Sequence, residues 1–524
     1  MTRPERWLAS PWRRGILAAP AGALPVFAFP APSLWWFAYV ALVPWILLVR
    51  SAPTGKRAAY DGWLGGLGFM LAVHHWLLPS LNVFTVAIAA LLGALWAPWG
   101  WLVRRFLGGA PSPGQVAAAL VVLPSGWLIV ELVRSWQGLG GPWGLLGSSQ
   151  WQVGPALRLA SVGGVWLLSF LVVTVNVAVA VLVSVRRARI PAVAGLVATA
   201  AATSAAWAWS PRPDVEGTVR IAVVQPGVVD GLDSIEKRFA REEALTRTLA
   251  GQDLDLVVWG ESSVGFDLAD RPDLANRIAT LARLTGADVL VNVDARRSDR
   301  PGIYKSSVLV GPQGPTGDRY DKMRLVPFGE YVPARGVLGW ATSVGKAAGE
   351  DRMQGTEQVV MNVGNGLRVG PMVCFESAFP DMSRHLAQDG AEVLLAQSST
   401  SSFQHSWAPE QHASLAALRA AETGRSMVHA TLTGVSAVYG PSGERVGSWL
   451  GTDASTTMVY EVPVARGVTP YVRFGDWPVH ASLLVLALLC AAEGTRAFRL
   501  RRPAPPLHVP LARTAHESPV RPGH

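Results

Sequence analysis

The strongest constraint on this chain is a series of apolar runs, each close to the ~20 residues that a helix needs to cross a bilayer. They lie near 15–31, 33–50, 60–81, 83–103, 115–133, 156–185 and 190–209, and an eighth follows at 478–497. Inside a bilayer, backbone N–H and C=O groups must be satisfied without water, so such runs predict helices. The first run (GILAAPAGALPVFAFP) carries enough Pro and Gly that a broken or re-entrant segment is the alternative. Composition agrees with a membrane protein: 50% of the residues are hydrophobic and only 16% charged. The 22 Trp, several beside Pro or Gly within apolar runs, suit an interfacial aromatic belt.

The formal net charge of +9 does not point to nucleic acid, because the Arg and Lys cluster at the ends of apolar runs. Arg13/Arg14, Arg50/Lys56/Arg57, Arg104/Arg105, Arg186/Arg187/Arg189 and Arg499/Arg501/Arg502 fall at every second boundary of an eight-span arrangement. Basic loops prefer the cytoplasm, which puts residues 217–465 outside it; Arg134, at the end of the fifth run, falls on the other side. The chain thus divides into a membrane domain (1–210), a water-exposed domain (217–465), a last span (478–497) and a Pro-rich, disordered cytoplasmic tail (500–524). The basic opening MTRPERWLASPWRRG runs into membrane-like sequence and does not read as a cleavable signal peptide. Cys374 and Cys490 lie in segments of opposite character, so a disulfide between them is not expected.

Within 217–465, RIAVVQP, DLVVWGES, ADVLVNVDA, SSVLVGP, LRVGPMVC and AEVLLAQSS read as strands bounded by turns. Helical patterns at 236–250, 273–285, 380–389 and 409–424 separate several of them, and NVGNGLRV carries an Asn-Gly hairpin signal. Alternating strands and helices argue for an α/β sandwich.

Three stretches of this domain can carry chemistry. Cys374, in MVCFESAF, sits between a strand-like run and a helical one, where a side chain can be exposed beside free backbone N–H groups. A buried structural cysteine is the other reading of the same residue. Glu261 ends the apolar run VVWGES, where partial desolvation would raise a carboxylate toward the range in which it takes a proton from a thiol; a surface Glu is the alternative. Lys322, in YDKMRLVPFGEYVP, would favour a nearby thiolate or stabilise an oxyanion, or be a solvated charge.

Glu261, Lys322 and Cys374, each after a strand-like run, resemble the Glu-Lys-Cys triad of the nitrilase superfamily, the carbon-nitrogen hydrolases. The eight-span frame together with YDKMRLVPFGEYVP and VCFES is similar to a membrane branch of that superfamily, the apolipoprotein N-acyltransferases. The resemblance covers nearly the whole chain. GPWGLLGSSQWQ (Gly141 to Gln152) also resembles a family segment near the membrane surface, though an interfacial turn reads the same way.

What the resemblance implies is a polytopic helical membrane domain carrying a nitrilase-like αββα sandwich, active without metal or other cofactor, as a monomer in the bacterial cell membrane. Cys374 would take an acyl chain from a phospholipid as a thioester and pass it to the α-amine of the diacylglyceryl-cysteine of an apolipoprotein. Glu261 would be general base and acid, Lys322 the oxyanion stabiliser, and Glu330 and Glu376 either positioning groups or structural salt bridges. Three departures bear on this pattern: Phe375 stands where the family often has Tyr, Trp259-Gly260-Glu261 replaces Trp-Pro-Glu and would loosen that turn, and no Trp lies between Gln225 and Trp259.

Two other functions compete. A membrane-tethered amide hydrolase would use the same triad, though a tether needs only one span. A catalytically silent lipid-binding or transport protein would need intramembrane charges or internal repeats. The candidates there are few: Glu131 near a span end, and the His74/His75 pair, which packing also explains.

Overall fold

The computed structural model describes residues 10–231, 233–339, 349–501 and 523; most of the expected tail, 502–522 and 524, lies outside the described residues. Among the described residues, four helices are long and apolar enough to cross a bilayer: Pro113–Arg134, Gly154–Ser184, Arg189–Trp209 and Trp477–Arg501. Two bent pairs, Gly55–Val73 with His75–Leu81 (63°) and Val83–Gly93 with Trp96–Leu107 (42°), raise the number to six if each pair is one span. Among the described residues, the first two of the eight expected spans are shorter pieces: helices Pro11–Ala23 and Val43–Arg50, with 3-10 turns Leu24–Ala28 and Trp35–Tyr39 between them. Pro25, Pro30 and Pro32 withdraw backbone donors there, so the first run takes its broken alternative.

The helices approach closely where side chains are absent. A Cβ on Gly22 would lie 2.0 Å from the Gly65 carbonyl, and one on Gly68 would lie 1.9 Å from that of Ala19. Trp45, Trp96, Trp99 and Trp127 are fully buried and pack ring to ring at 5.0–6.0 Å, so part of the expected aromatic belt is core instead. Asp61 is sealed in by Arg14 and Arg57, each at 2.7 Å.

Among the described residues, the water-exposed domain has twelve strands. In chain order β1 (Asp214–Gln225), β2 (Leu256–Trp259), β3 (Asp288–Arg296), β4 (Ile303–Gly311) and β5 (Gly314–Asp321) build one sheet. β6 (Met361–Asn362), β7 (Arg368–Val373), β8 (Val393–Ser398), β9 (Ser426–Thr431), β10 (Ser436–Tyr439) and β11 (Arg445–Leu450) build the other, and β12 (Thr456–Arg466) returns to pair with β1. Each sheet is parallel at its centre, β1-β2-β3 and β7-β8-β9, and antiparallel at its edges. The Asn-Gly signal falls in the β6–β7 turn, with Gly366 at φ +88°.

Strand alternation sorts the side chains. Ile221, Val223, Leu256 and Val258 face Val369, Val373, Val393 and Leu395 between the sheets. The opposite faces, with Val257 and Ala396 among them, are covered by helices Ser234–Arg247 and Pro272–Thr285 on one side and Pro380–Gln388 and Ala408–Thr423 on the other. The result is the αββα sandwich.

The sandwich is bolted to the membrane domain. Span Gly154–Ser184 breaks at Gly163–Gly164, where Gly164 has φ +67° and Tyr471 leaves no room for a Cβ (2.6 Å). The break frees the Val165 N–H, which donates to Glu422 of the sandwich (2.8 Å); Glu422 also pairs with buried Arg419 (2.8 Å). Trp166 donates to Asp476 (3.0 Å), and Trp143 to Gln411 (2.9 Å). Replacing Glu422 by Leu should cost about 3–5 kcal/mol, because Arg419 then stays buried without its carboxylate. Glu422→Gln, which keeps an acceptor for Val165, should cost less. Thermal unfolding in detergent measures both; equal melting of wild type and Glu422→Leu would rule out this joint.

Candidate active site

Glu261 follows β2, Lys322 follows β5 and Cys374 follows β7, and the fold brings all three to one end of the sandwich. Glu261 belongs to the first sheet, yet its N–H donates to the carbonyl of Ser398 at the end of β8 in the second (3.1 Å). Gly260 makes that approach possible, since a Cβ there would lie 2.0 Å from the Leu432 nitrogen. The loosening expected from Gly260 is therefore absent: the turn is tight, and glycine is the residue that fits it.

Lys322 is fully buried, with Nζ 2.8 Å from Glu330 Oε1 and 3.2 Å from Glu261 Oε1. A second lysine, which sequence reasoning missed, completes the group. Lys305 of β4 places its Nζ 2.8 Å from Glu261 and 3.0 Å from Glu330. Two ammoniums face two carboxylates, the balance that lets four charges leave water together. The available signal was a lysine inside the β-rich run IYKSSVLVG. Glu330 also accepts the Val326 N–H (2.8 Å) and so closes the loop that carries Lys322.

This grouping sets the proton positions. Burial alone would raise Glu261, but Lys305 and Lys322 outweigh it and hold the carboxyl at about 2. Burial opposes ionisation of Glu330 as well, and Lys322 and Lys305 again hold it below the usual range. Burial works against the Lys322 charge, and Glu261 and Glu330 keep it protonated. Cys374 is pushed up to about 12, first by burial and then by the Glu261 charge, which Lys322 and Lys305 only partly offset. Both electrostatic expectations are thus corrected. Glu261 is depressed rather than raised, and Lys322 spends its charge on carboxylates rather than on a resting thiolate.

Cys374 occupies a strained turn. Its φ is +51°, a left-handed conformation costly for a side-chain-bearing residue, at the junction of β7 with the 3-10 turn Cys374–Ala378. Glu376 holds the turn: it accepts the N–H groups of Val373 (2.7 Å), Met323 (2.7 Å) and Arg324 (3.0 Å) and the Tyr320 hydroxyl (2.6 Å). One buried carboxylate thereby ties the cysteine turn to the Lys322 loop. His412, also missed, lies on helix Ala408–Thr423 with Nε2 3.1 Å from the Cys374 carbonyl and 3.0 Å from Ser377 Oγ. Burial lowers His412 to about 4, so it is neutral and braces the turn from behind.

Phe375 packs edge-on against Phe379 (4.9 Å), and its ring tip meets Gly141, where a Cβ would lie 2.5 Å from Cζ. GPWGLLGSSQWQ is accordingly a docking loop: Gly141 (φ +72°) admits Phe375, and Trp143 packs on His412 (5.3 Å) and Trp76 (5.2 Å). The remaining sequence candidates are structural. His75 packs on Trp407 (4.6 Å), and His74 Nδ1 donates to the Met70 carbonyl (3.1 Å). Glu131 accepts from Trp127 (2.9 Å) and from the Leu146 N–H (2.7 Å). Cys490 is a free, exposed thiol on the last helix.

A sandwich with Glu, Lys and Cys at its strand ends, carried on a helical membrane domain, defines a membrane-bound protein of the nitrilase superfamily. Residues 220–468 match the family model for carbon-nitrogen hydrolase, and residues 21–178 match the apolipoprotein N-acyltransferase N-terminal domain. The chain is 32% identical over 514 residues to an apolipoprotein N-acyltransferase of Azotobacter vinelandii (94% of this chain, 98% of the relative). It is 30% identical over 515 residues to one of Pseudomonas aeruginosa (93% and 98%). Among solved structures it is similar to a nitrilase-superfamily amidase from Nesterenkonia, with 19% identity and a TM-score of 0.37 over 51% of this chain and 98% of that one. The chain belongs to the apolipoprotein N-acyltransferase family and is a membrane acyltransferase.

The raised thiol is directly measurable. In a Cys490→Ala background, the rate of Cys374 alkylation by iodoacetamide should still be climbing at pH values above the ordinary thiol pKa of about 8.5. A plateau at that ordinary value would contradict the charge arrangement. The Glu261 carboxylate adds stability that is fully present above the unfolded carboxyl value and lost as pH falls through about 2. Lys305→Gln removes one of its cations and should move that loss to higher pH, which acid unfolding followed by circular dichroism would record.

Proposed function

We propose that Cys374 is the nucleophile of a ping-pong transfer from a phospholipid to the N-terminus of a lipoprotein. The Cys374 sulfur attacks the acyl ester carbonyl while its proton passes to Glu261. Collapse of the tetrahedral intermediate breaks the ester bond, and Glu261 returns the proton to the departing lysophospholipid oxygen. The free α-amine of an S-diacylglyceryl-cysteine then attacks the thioester, Glu261 takes the amine proton, and the sulfur leaves to recover it. Lys322 faces the oxyanion of both intermediates. Lys305, Glu330 and Glu376 are positioning residues that hold the acid, the base and the strained turn in register.

The observation that carries this reading is the convergence of Glu261, Lys322 and Cys374 at one end of the two sheets, with Lys322 locked between two carboxylates. A resting thiol with a strongly ionised base means that sulfur deprotonation and carbonyl attack occur together, so the nucleophile is released only against a bound ester. Both substrates carry long acyl chains whose burial is worth about 0.8 kcal/mol per methylene, which favours a site fixed at the membrane surface. The alternating basic clusters support an extracytoplasmic position for the sandwich, where exported lipoproteins are met.

Incubating the purified protein with phospholipid and a diacylglyceryl-cysteine peptide should yield lysophospholipid and N-acyl peptide together. With the peptide omitted, a hydroxylamine-labile acyl group should collect on Cys374. Free fatty acid without N-acyl peptide would make the chain a hydrolase, and undiminished transfer by Cys374→Ala would remove the nucleophile. In the same assay Lys305→Gln should shift the acid limb of kcat/KM upward, because Glu261 then protonates at higher pH; an unmoved limb would separate Lys305 from the base.

A further inference from the structure

A cleft of about 620 Å³ lies between the two domains and shares no residue with the Glu261, Lys322 and Cys374 cluster. Its lining includes Arg158 at the start of span Gly154–Ser184, Arg212 just after the end of span Arg189–Trp209, and Arg445 of β11. Three guanidiniums face a single lining carboxylate, Glu444, one oxygen of which already accepts the Ser442 N–H (2.9 Å). Arg158 is only 5% exposed; one of its terminal nitrogens donates to the Ser210 carbonyl (2.8 Å), while its Nε has no partner. A buried guanidinium with an unused donor, with two further arginines at an exposed rim, is arranged for an anion that accepts several N–H groups at once.

The setting narrows the anion. The chain enters the sandwich directly after span Arg189–Trp209 and leaves it directly before the last span, so this cleft sits on the membrane face that carries the sandwich. Trp151 and the 48%-exposed Trp207 line it, aromatic side chains suited to headgroup depth. Below Trp207, at spacings that keep them on one side of the helix, Val197 and Val193 are 60% and 48% exposed, a track for an acyl chain. We propose that this cleft binds the phosphodiester of an anionic phospholipid that is not being acylated or deacylated, with Arg158 at its floor, Arg212 and Arg445 at its rim and one acyl chain along Val193 and Val197. Such a lipid would wedge the sandwich against the two spans beside it.

Native mass spectrometry of the full chain released from detergent tests this with phosphatidylglycerol, phosphatidylcholine and inorganic phosphate as separate probes. Wild type and Cys374→Ala should both retain phosphatidylglycerol under activation that strips phosphatidylcholine. The rim double variant R212Q/R445Q should retain it about thirtyfold less, given roughly 1 kcal/mol for each of the two basic residues at a membrane surface, and R212K/R445K should recover part of the loss. Both rim residues are exposed, so these variants keep the fold. Retention unchanged in R212Q/R445Q, equal retention of the two lipids, loss of the lipid in Cys374→Ala, or displacement of phosphatidylglycerol by inorganic phosphate would each overturn the proposal. The last would make the cleft a free-anion site.

Discussion

The interaction on which the active end of this protein depends is the buried meeting of Lys305 and Lys322 with Glu261 and Glu330. Moving one such charge out of water is costly, and removing any one of the four would leave a net charge inside the protein. The residues come from β4 and from the segments after β2 and β5, so a correct arrangement reports that the first sheet has been assembled in register. The same balance fixes the chemistry. Each carboxylate has two ammoniums close by and stays ionised; each ammonium is fully occupied, leaving little positive potential for the sulfur.

The cysteine turn solves a different problem, holding an unfavourable backbone conformation at a defined place. Glu376 does so by collecting hydrogen bonds from both the turn and the Lys322 loop, while His412 accepts none of the charge and braces the Cys374 carbonyl. A conformation at φ +51° persists because its surroundings over-determine it. Part of that determination comes from the membrane domain, since Phe375 is seated on Gly141 and His412 on Trp143. The Cys374 turn is therefore shaped by elements more than 200 residues earlier in the chain, as its own number and theirs attest.

Period and punctuation made the sandwich legible: every strand-like run named in the sequence is a strand, and the helical patterns at 273–285 and 380–389 match helices Pro272–Thr285 and Pro380–Gln388. Glu261, Lys322 and Cys374 could be found because each follows a strand. Lys305 could not, because it lies within one, where alternation predicts only a side chain on one face and says nothing of which charges the neighbouring strands bring to it. The proton positions failed for the same reason. A lysine beside a cysteine favours thiolate only if no carboxylate is nearer, and that ordering exists only in three dimensions. Proline also breaks the first two apolar runs into shorter helical pieces, since hydropathy averages over a break that the missing N–H makes real.

The joint between the domains explains why transfer chemistry suits this architecture. A span broken at Gly163–Gly164 frees the buried Val165 N–H from its helix, and Glu422 of the sandwich satisfies it. Each domain thus completes the hydrogen bonding of the other, and neither surface would be content alone in water or lipid. A sandwich held by these contacts is fixed against the helices that carry it. On the proposed reading, that joint holds the Cys374 thiol in one place relative to the spans, where a phospholipid ester carbonyl would be presented to it while the acyl chains stay in the bilayer.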